Sequence, residues 1–226
     1  MKVKHLVGAF LCVLGCYACS SPKTEVQSPD GHIKMTLTVD ENGKPFYNVS
    51  VDDSLLIENS AMGFTAANGI ILGEGFQVKN TTFSSEDETW TQPWGENKKN
   101  RNHYNEMTVT LEQPETGRIL NIRFRLFDDG LGFRYELPLQ RKMNYLTVKD
   151  EVTEFNLTGN HKAFCIPGDY DTNEFAYTTA PLSEIAVDME KRIAKKSYES
   201  KAEGGLTVQT PLMMKSEDGI YLNIHE

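Results

Sequence analysis

The sequence predicts an all-β protein, a large antiparallel β-sandwich with at most one short helix. Apolar residues alternate with polar ones over several runs as long as a strand, and Asp, Asn, Gly and Pro separate these runs. Only one segment has the apolar spacing of a helix. The chain of 226 residues is long enough for one large sandwich or two small domains.

The first predicted strands form an antiparallel meander. Apolar residues alternate strictly with lysine and threonine from residue 33 to 39, as a half-buried strand requires. Turn-forming residues follow at 40–45, and the alternation resumes at 47–51. After a further turn, the apolar run at 55–57 continues the same sheet.

The clearest pattern consists of three consecutive runs, at 107–111, 120–126 and 131–137. Apolar residues occupy every second position, so one face of a three-stranded sheet belongs to the core. The opposite face carries polar and charged side chains: Thr108, Thr110, Arg123, Arg125, Arg134 and Glu136. These arginines either bind anionic groups or pair with carboxylates across the strands, and pairing is the favoured interpretation.

One later segment, 181–194, has apolar residues at helical spacing: Leu182, Ile185, Met189 and Ile193. It forms either one short helix or a loop, and residues 195–205 after it are typical of an exposed linker. Residues 220–226 alternate up to the last position. That pattern predicts that the sequence is the N-terminal part of a longer protein.

The first 19 residues have the pattern of an export signal, which is left out of the fold. Lys2 and Lys4 precede an apolar run at 6–14 that is too short to span a bilayer. Either Cys16 or Cys19 fits the lipidated cysteine of a bacterial lipoprotein, and the alternative is cleavage to a free periplasmic protein. We expect an exported protein in the periplasm or at the outer membrane of a Gram-negative bacterium, reaching the membrane only through a lipid anchor.

Charge and cysteine content narrow the possible partners. The formal net charge is −9, or −11 once Lys2 and Lys4 are removed with the signal, which argues against nucleic acid as a partner. Cys165 is the one cysteine after residue 19, so this part of the chain has no intrachain disulfide. We expect Cys165 to be a small buried hydrophobe.

An acidic segment interrupts the strands at residues 164–174. Pro167 and Gly168 favour the end of a strand ladder. Three carboxylates then fall within six residues: Asp169, Asp171 and Glu174. Such hard oxygen ligands suit calcium better than zinc, but an EF-hand is excluded because Glu174 and Ala180 stand where glycine and a bidentate glutamate are required. Spacing alone leaves two interpretations: a solvated acidic loop, or carboxylates that meet a metal or ligand.

A second polar cluster contains both tryptophans of the chain, at 90–96, and continues at 101–106. We predict that it forms a loop. An indole face beside amide, imidazole and carboxylate groups matches the C–H face and hydroxyl rim of a sugar, which makes Trp94 and His103 candidate substrate-binding residues. Alternatively, Trp94 plugs the edge of the sandwich, while His103 and Asn105 satisfy backbone groups.

The residues alone reveal no catalytic constellation. The sequence contains no G-x-S-x-G, no H-E-x-x-H and no glycine-rich phosphate loop between a strand and a helix. Acidic residues are abundant, but nothing singles out a pair held across a cleft, as a glycosidase requires. The residues therefore predict an exported β-sandwich with a polar, aromatic rim.

Six segments, taken together and in order, give a family resemblance: WGE (94–96), RNHYNE (101–106), FRLFDDGLGFRYE (124–136), IPGDY (166–170), LSEI (182–185) and NIHE (223–226). They resemble the N-terminal domain of glycoside hydrolase family 97. The resemblance covers residues 28–226, preceded by the signal and a linker at 20–27. The sequence departs from the family pattern at Cys165, where a relative has tryptophan.

This resemblance implies a sandwich of the galactose-mutarotase type, followed by a (β/α)₈ barrel that supplies the catalytic carboxylates, none of which lies in the present sequence. It implies action on α-linked oligosaccharides, with inversion on α-glucosides or retention on α-galactosides. It also implies a calcium ion near the catalytic water, with one ligand from the segment after IPGDY. In this sequence that ligand is Glu174.

Two hypotheses follow. In the first, the chain is the non-catalytic N-terminal domain of an exported, calcium-dependent α-glycosidase; it buttresses its own catalytic barrel and supplies Glu174 to the shared Ca²⁺. In the second, it is a free-standing surface lipoprotein that binds glycans through Trp94 and His103.

Overall fold

The computed structural model describes residues 23–141, 143, 145–168, 175–193 and 207–225. These residues form fifteen strands and one helix, which confirms the predicted all-β class and shows that residues 182–193 of the ambiguous segment are helical. The strands are β1 Glu25–Gln27, β2 Ile33–Val39, β3 Pro45–Val51, β4 Ser54–Ala61, β5 Phe64–Ala66, β6 Ile71–Leu72, β7 Gln77–Thr91, β8 Lys99–Gln113, β9 Arg118–Phe127, β10 Gly130–Glu136, β11 Val148–Glu151, β12 Lys162–Cys165, β13 Thr178–Pro181, β14 Leu212–Lys215 and β15 Tyr221–Ile224, and the helix is α1 Leu182–Ile193.

The described strands pair antiparallel in four sheets. The first has the order β1-β2-β3-β4 and the second β10-β9-β8-β7, while the third and fourth are β11-β5-β6 and β13-β12-β14-β15. Consecutive strands are neighbours in the first two sheets, as the predicted meanders require.

The turn between β2 and β3 depends on a glycine. Asp40 accepts hydrogen bonds from the backbone N–H groups of Asn42 and Lys44, at 3.0 and 2.7 Å. Gly43 has φ of +76°, and a Cβ built there would lie 2.3 Å from the backbone nitrogen of Phe76. Only glycine fits, because the conformation is left-handed and the neighbouring backbone leaves no space for a side chain.

The core lies between the first two sheets. Met35, Leu37 and Tyr47 of the first sheet belong to the same buried cluster as Ile122 and Phe124 of the second. Each of these side chains is fully buried, so each contributes about 1.5–3 kcal/mol of hydrophobic stabilisation. The alternating residues of the sequence thus form the two inner faces of a sandwich.

Ion pairs cover the opposite face of the second sheet, as predicted for its arginines. Arg123 contacts both Glu106 and Glu136, and Arg125 Nε donates to Glu106 at 2.7 Å. Arg134 Nε donates to Glu136 at 2.7 Å. Arg123 and Arg125 thus pair with carboxylates across the strands, which confirms the pairing interpretation for them, whereas Arg134 pairs with Glu136 on its own strand.

Helix α1 follows β13 directly and is anchored at its first turn. The backbone N–H of Leu182 donates to the His161 carbonyl, and Ser183 exchanges two hydrogen bonds with the Asn160 side chain. Met189 is fully buried, which fixes one face of the helix. No helix in the described residues is long and apolar enough to cross a membrane.

Candidate functional site

The acidic segment 169–174, with the predicted calcium ligand Glu174, lies outside the described residues, as does the predicted signal. Its two flanks are described. The chain leaves β12 at Cys165, which is 1% exposed as expected for a buried thiol, and Phe175 on the far side is 9% exposed. Cys165 pairs with Thr178 of β13, so both ends of the segment that contains Glu174 are fixed at the same end of the fourth sheet.

Gly168 has a different role from the one its residue type suggested. Its backbone lies outside the left-handed region, so conformational freedom is not what the position requires. A Cβ would lie 2.4 Å from Thr207 Oγ1, and the Gly168 N–H donates to the Thr207 carbonyl at 3.0 Å. Close approach of two chain segments explains this glycine; β12 ends near it, at Cys165, as predicted, and an isolated bridge then joins Pro167 to Val208.

The donor chemistry of the acidic segment fits calcium, since all three of its acidic side chains offer carboxylate oxygens. Within the described ranges, no group of three or more His, Cys, Asp or Glu side chains is placed to hold a metal ion. Calcium takes roughly six to eight oxygen ligands, so one glutamate cannot hold it without further ligands. Glu174 would therefore need partners from outside the part of the chain described here.

The aromatic cluster is not the loop that we predicted. Trp90 belongs to β7 and His103 to β8, and only Trp94 lies in the connection between these strands. The strand pattern was missed because β8 before Asn105 pairs with β7 alone, and beyond the buried Tyr104 at its base this ribbon has no buried face. Without a buried face, no alternation of apolar and polar residues is needed. We call residues 86–104 the hairpin arm.

Trp94 and His103 occupy distinct positions on the hairpin arm. Trp94 is 84% exposed, which rules out a plug at the sandwich edge. His103 Nδ1 lies 3.5 Å from Asp128 Oδ2, longer than a normal hydrogen bond. Asn105 Nδ2 donates to the Gln27 carbonyl at 2.9 Å, so this side chain does satisfy a backbone group. Sugar binding by Trp94 and His103 stays a prediction.

Glu106 is the most deeply buried charge at the base of the arm, with its side chain 8% exposed. Burial acts to raise the pKa of its carboxyl, but the hydrogen bond from Arg125 and the charges of Arg123 and Arg125 outweigh it and lower the pKa. The Arg125 guanidinium also lies 4.3 Å from the Tyr104 ring centre. This group is fully paired and orders the strands.

An open groove of about 720 Å³ lies beside this base, between β1 and β7. Its lining includes Glu25, Gln27, Phe83, Ser84 and Asn105. Neither Trp94 nor His103 lines it, so the groove is separate from the predicted sugar-binding residues.

Comparison with known proteins connects these features to a family. The family model described as "Glycosyl-hydrolase 97 N-terminal" matches residues 26–226. A retaining alpha-galactosidase of Bacteroides thetaiotaomicron is 26% identical over 196 residues, which cover 81% of this chain and 28% of the relative.

Solved structures give the same relationship. A glycoside hydrolase family 97 enzyme from Pseudoalteromonas sp. strain K8, solved with panose and separately with acarbose, is 33% identical with a TM-score of 0.74; the match covers 87% of this chain and 27% of that enzyme. A beta-arabinopyranosidase shares the fold, with a TM-score of 0.68 at 24% identity over 84% of this chain and 29% of that one.

The chain thus spans little more than a quarter of the length of the relatives it matches. The family match covers nearly all of the residues that form the sandwich, the hairpin arm and the fourth sheet. This chain belongs to the N-terminal domain family of glycoside hydrolase family 97.

Proposed function

We propose that this chain is the non-catalytic N-terminal domain of an exported, calcium-dependent α-glycosidase that acts on α-glucosides or α-galactosides. The observation that carries the proposal is the family match over residues 26–226, combined with coverage of only 27–28% of relatives that are glycoside hydrolases. The remaining length of such proteins has room for a catalytic barrel, which the sandwich would buttress at its active-site face.

In this proposal Glu174 supplies one carboxylate to a calcium ion whose other ligands belong to the barrel. When bound, the ion provides positive charge beside the catalytic water. The contribution of this chain is to position the glutamate. The β12–β13 pairing and the buried side chains of Cys165 and Phe175 support that role, because they hold both flanks of the segment.

The cellular location of the protein is part of the same proposal. The signal at residues 1–19 directs the protein out of the cytoplasm, and either Cys16 or Cys19 provides a lipid anchor. An exported enzyme of this kind would meet α-linked oligosaccharides in the periplasm or at the outer membrane. The net charge of −9 accords with a neutral sugar as the substrate and disfavours an anionic polymer.

Hydrolysis assays test the catalytic part of the proposal. Residues 20–226 and the full-length protein are incubated in parallel with an aryl α-glucoside and an aryl α-galactoside, with and without calcium. We expect no turnover by residues 20–226 and calcium-dependent turnover of one substrate by the full-length protein. Turnover by residues 20–226 alone would overturn the assignment.

A second candidate function is glycan binding by a free-standing surface lipoprotein. One observation favours it: Trp94 presents an indole that is 84% exposed, as sugar-binding platforms do. Calorimetric titration of residues 20–226 with α-linked oligosaccharides distinguishes the two. Saturable binding that is lost in Trp94→Ala would favour the second function. The gene sequence that follows the codon for Glu226 is an independent test of the two functions.

A further inference from the structure

The hairpin arm projects beyond the sheet that supports it. Six residue pairs, from Glu86 with Tyr104 to Thr91 with Lys99, lie past the last pairing between β8 and β9. At about 3.3 Å per residue, this ribbon is about 20 Å long. A two-stranded ribbon in water is marginally stable by itself, so its length calls for a physical explanation.

The arm is nevertheless well ordered. Arg101 donates two hydrogen bonds to Asp87, at 2.7 and 2.8 Å, and Asn102 bonds to Glu88 across the strands at 3.1 Å. These contacts use side-chain charges of the arm to hold its own strands together. These four polar side chains are thus engaged internally and are less available to recognise a small polar ligand.

The turn at the tip is also fixed. The Gln92 backbone N–H donates to the Lys98 carbonyl at 3.2 Å, and its side-chain amide donates to the Asn97 carbonyl at 2.9 Å. Gly95 has φ of +119°, and a Cβ there would lie 2.5 Å from Gln92 Nε2. Trp94 is therefore displayed on a pre-organised turn, which lowers the entropy cost of burying it against a partner.

Two indoles on a convex ribbon indicate the type of partner. Trp94 is 84% exposed and Trp90 49% exposed, and tryptophan is enriched among residues that dominate binding energy at protein interfaces. A ribbon paired only with itself is a ridge, whereas sites that enclose a small ligand are concave. The shape suits insertion into a groove of another protein surface.

We propose that the hairpin arm docks onto the remaining part of the full-length protein, with Trp94 as the anchor. This rests on the proposed function, because the partner surface belongs to the same polypeptide. The relatives carry nearly three quarters of their length outside the region matched here, so a partner surface of that size would be covalently tethered. Tethering raises its effective concentration above that of any free partner.

Hydroxyl-radical footprinting of Trp94 tests the docking. We expect the oxidation rate of Trp94 in the full-length protein to fall about fivefold or more below its rate in residues 20–226, since a docked anchor is desolvated. Tyr47, fully buried in the sandwich, is the internal control and should stay protected in both proteins. Equal Trp94 rates would overturn the proposal.

Other occupants give different results. Protection that appears only with added oligosaccharide would assign the arm to glycan binding, and protection that depends on protein concentration would assign it to a second copy; either result overturns the proposal. Trp94→Ala should restore rapid oxidation of Trp90 in the full-length protein, whereas Trp94→Phe should keep Trp90 protected. Hydrolysis by a full-length protein whose Trp94 is unprotected would defeat the arm proposal and leave the proposed function intact.

Discussion

Glu106 joins two strands of the second sheet through a single carboxylate. Its Oε2 accepts a hydrogen bond from Arg125 Nε of β9 at 2.7 Å, and its Oε1 contacts Arg123 of the same strand. Ser84 Oγ of β7 lies 3.3 Å from Glu106 Oε1. Arg123 in turn donates a hydrogen bond to Glu136, which extends the network of ion pairs to β10. The network is asymmetric, because Glu106 is buried whereas the side chains of Arg123 and Arg125 are 27% and 39% exposed.

We expect Glu106→Ala to lower the free energy of unfolding by about 2–3 kcal/mol, because it leaves the Arg125 guanidinium without its carboxylate and removes one of the two carboxylates that contact Arg123. The matched control is Glu112→Ala, which removes a more exposed pair with Lys79 and should cost less than about 1 kcal/mol. Urea unfolding of both variants of residues 20–226 measures the difference. Equal losses would show that Glu106 acts as a surface charge.

Acid should destabilise the same network. Hydrogen bonds from Arg123 lower the pKa of Glu136, and the arginines lower that of Glu106 against its burial. Because the native pKa values are below those of the unfolded chain, this stabilisation is complete above about pH 4.5 and is lost as pH falls through the native values. Urea midpoints between about pH 6 and pH 3 should decline less steeply in Glu106→Gln than in the wild type. Equal slopes of urea midpoint against pH for the two proteins would contradict this explanation of the acid sensitivity.

At the scale of single elements, the sequence predicted the longer strands that bury one face, but it missed the three-residue β5, which buries Phe64 and Ala66. The runs that became β2, β3, β8, β9 and β10 alternate because the sandwich buries every second side chain. β7 was missed, since past Phe83 it has water on both faces. Helix α1 stayed ambiguous in the sequence because few of its apolar positions are buried; Met189 is fully buried, whereas Val187 is 51% exposed.

Turn glycines are the element-scale feature most sensitive to substitution. Gly43→Ala should destabilise by about 2 kcal/mol more than Gly31→Ala, because both positions have positive φ but only Gly43 lacks space, with the Phe76 backbone at 2.3 Å. The control, Gly31→Ala, should cost about 1–2 kcal/mol from its left-handed conformation alone. Thermal unfolding of the two variants measures this difference in stability. Similar unfolding midpoints would mean that the β2–β3 turn relaxes to accommodate a side chain at Gly43.

At the scale of the whole molecule, the candidate site was predictable only in part. Spacing identified a dense set of carboxylates after β12 but left a solvated loop and a metal ligand as alternatives, since one segment cannot show whether other ligands exist. The choice of Glu174 came from the family resemblance. The structure adds that both flanks of the segment lie at one end of the fourth sheet.

A calcium ion shared between two domains would also couple their stabilities. Such an ion would bind only the state in which its ligands from both domains are together, so it would stabilise the docked arrangement by mass action. The hairpin arm would provide a second, metal-independent contact between the same partners. Removal of calcium should then weaken the association without abolishing protection of Trp94.

The most direct test of the account is bound calcium and hydrolysis measured together in full-length Glu174→Gln, with Asp171→Asn as the control. We expect Glu174→Gln to lose calcium and activity in parallel, while thermal unfolding of residues 20–226 stays unchanged and Asp171→Asn retains the ion. A Glu174→Gln protein that loses activity but binds calcium with normal stoichiometry and affinity would contradict the account.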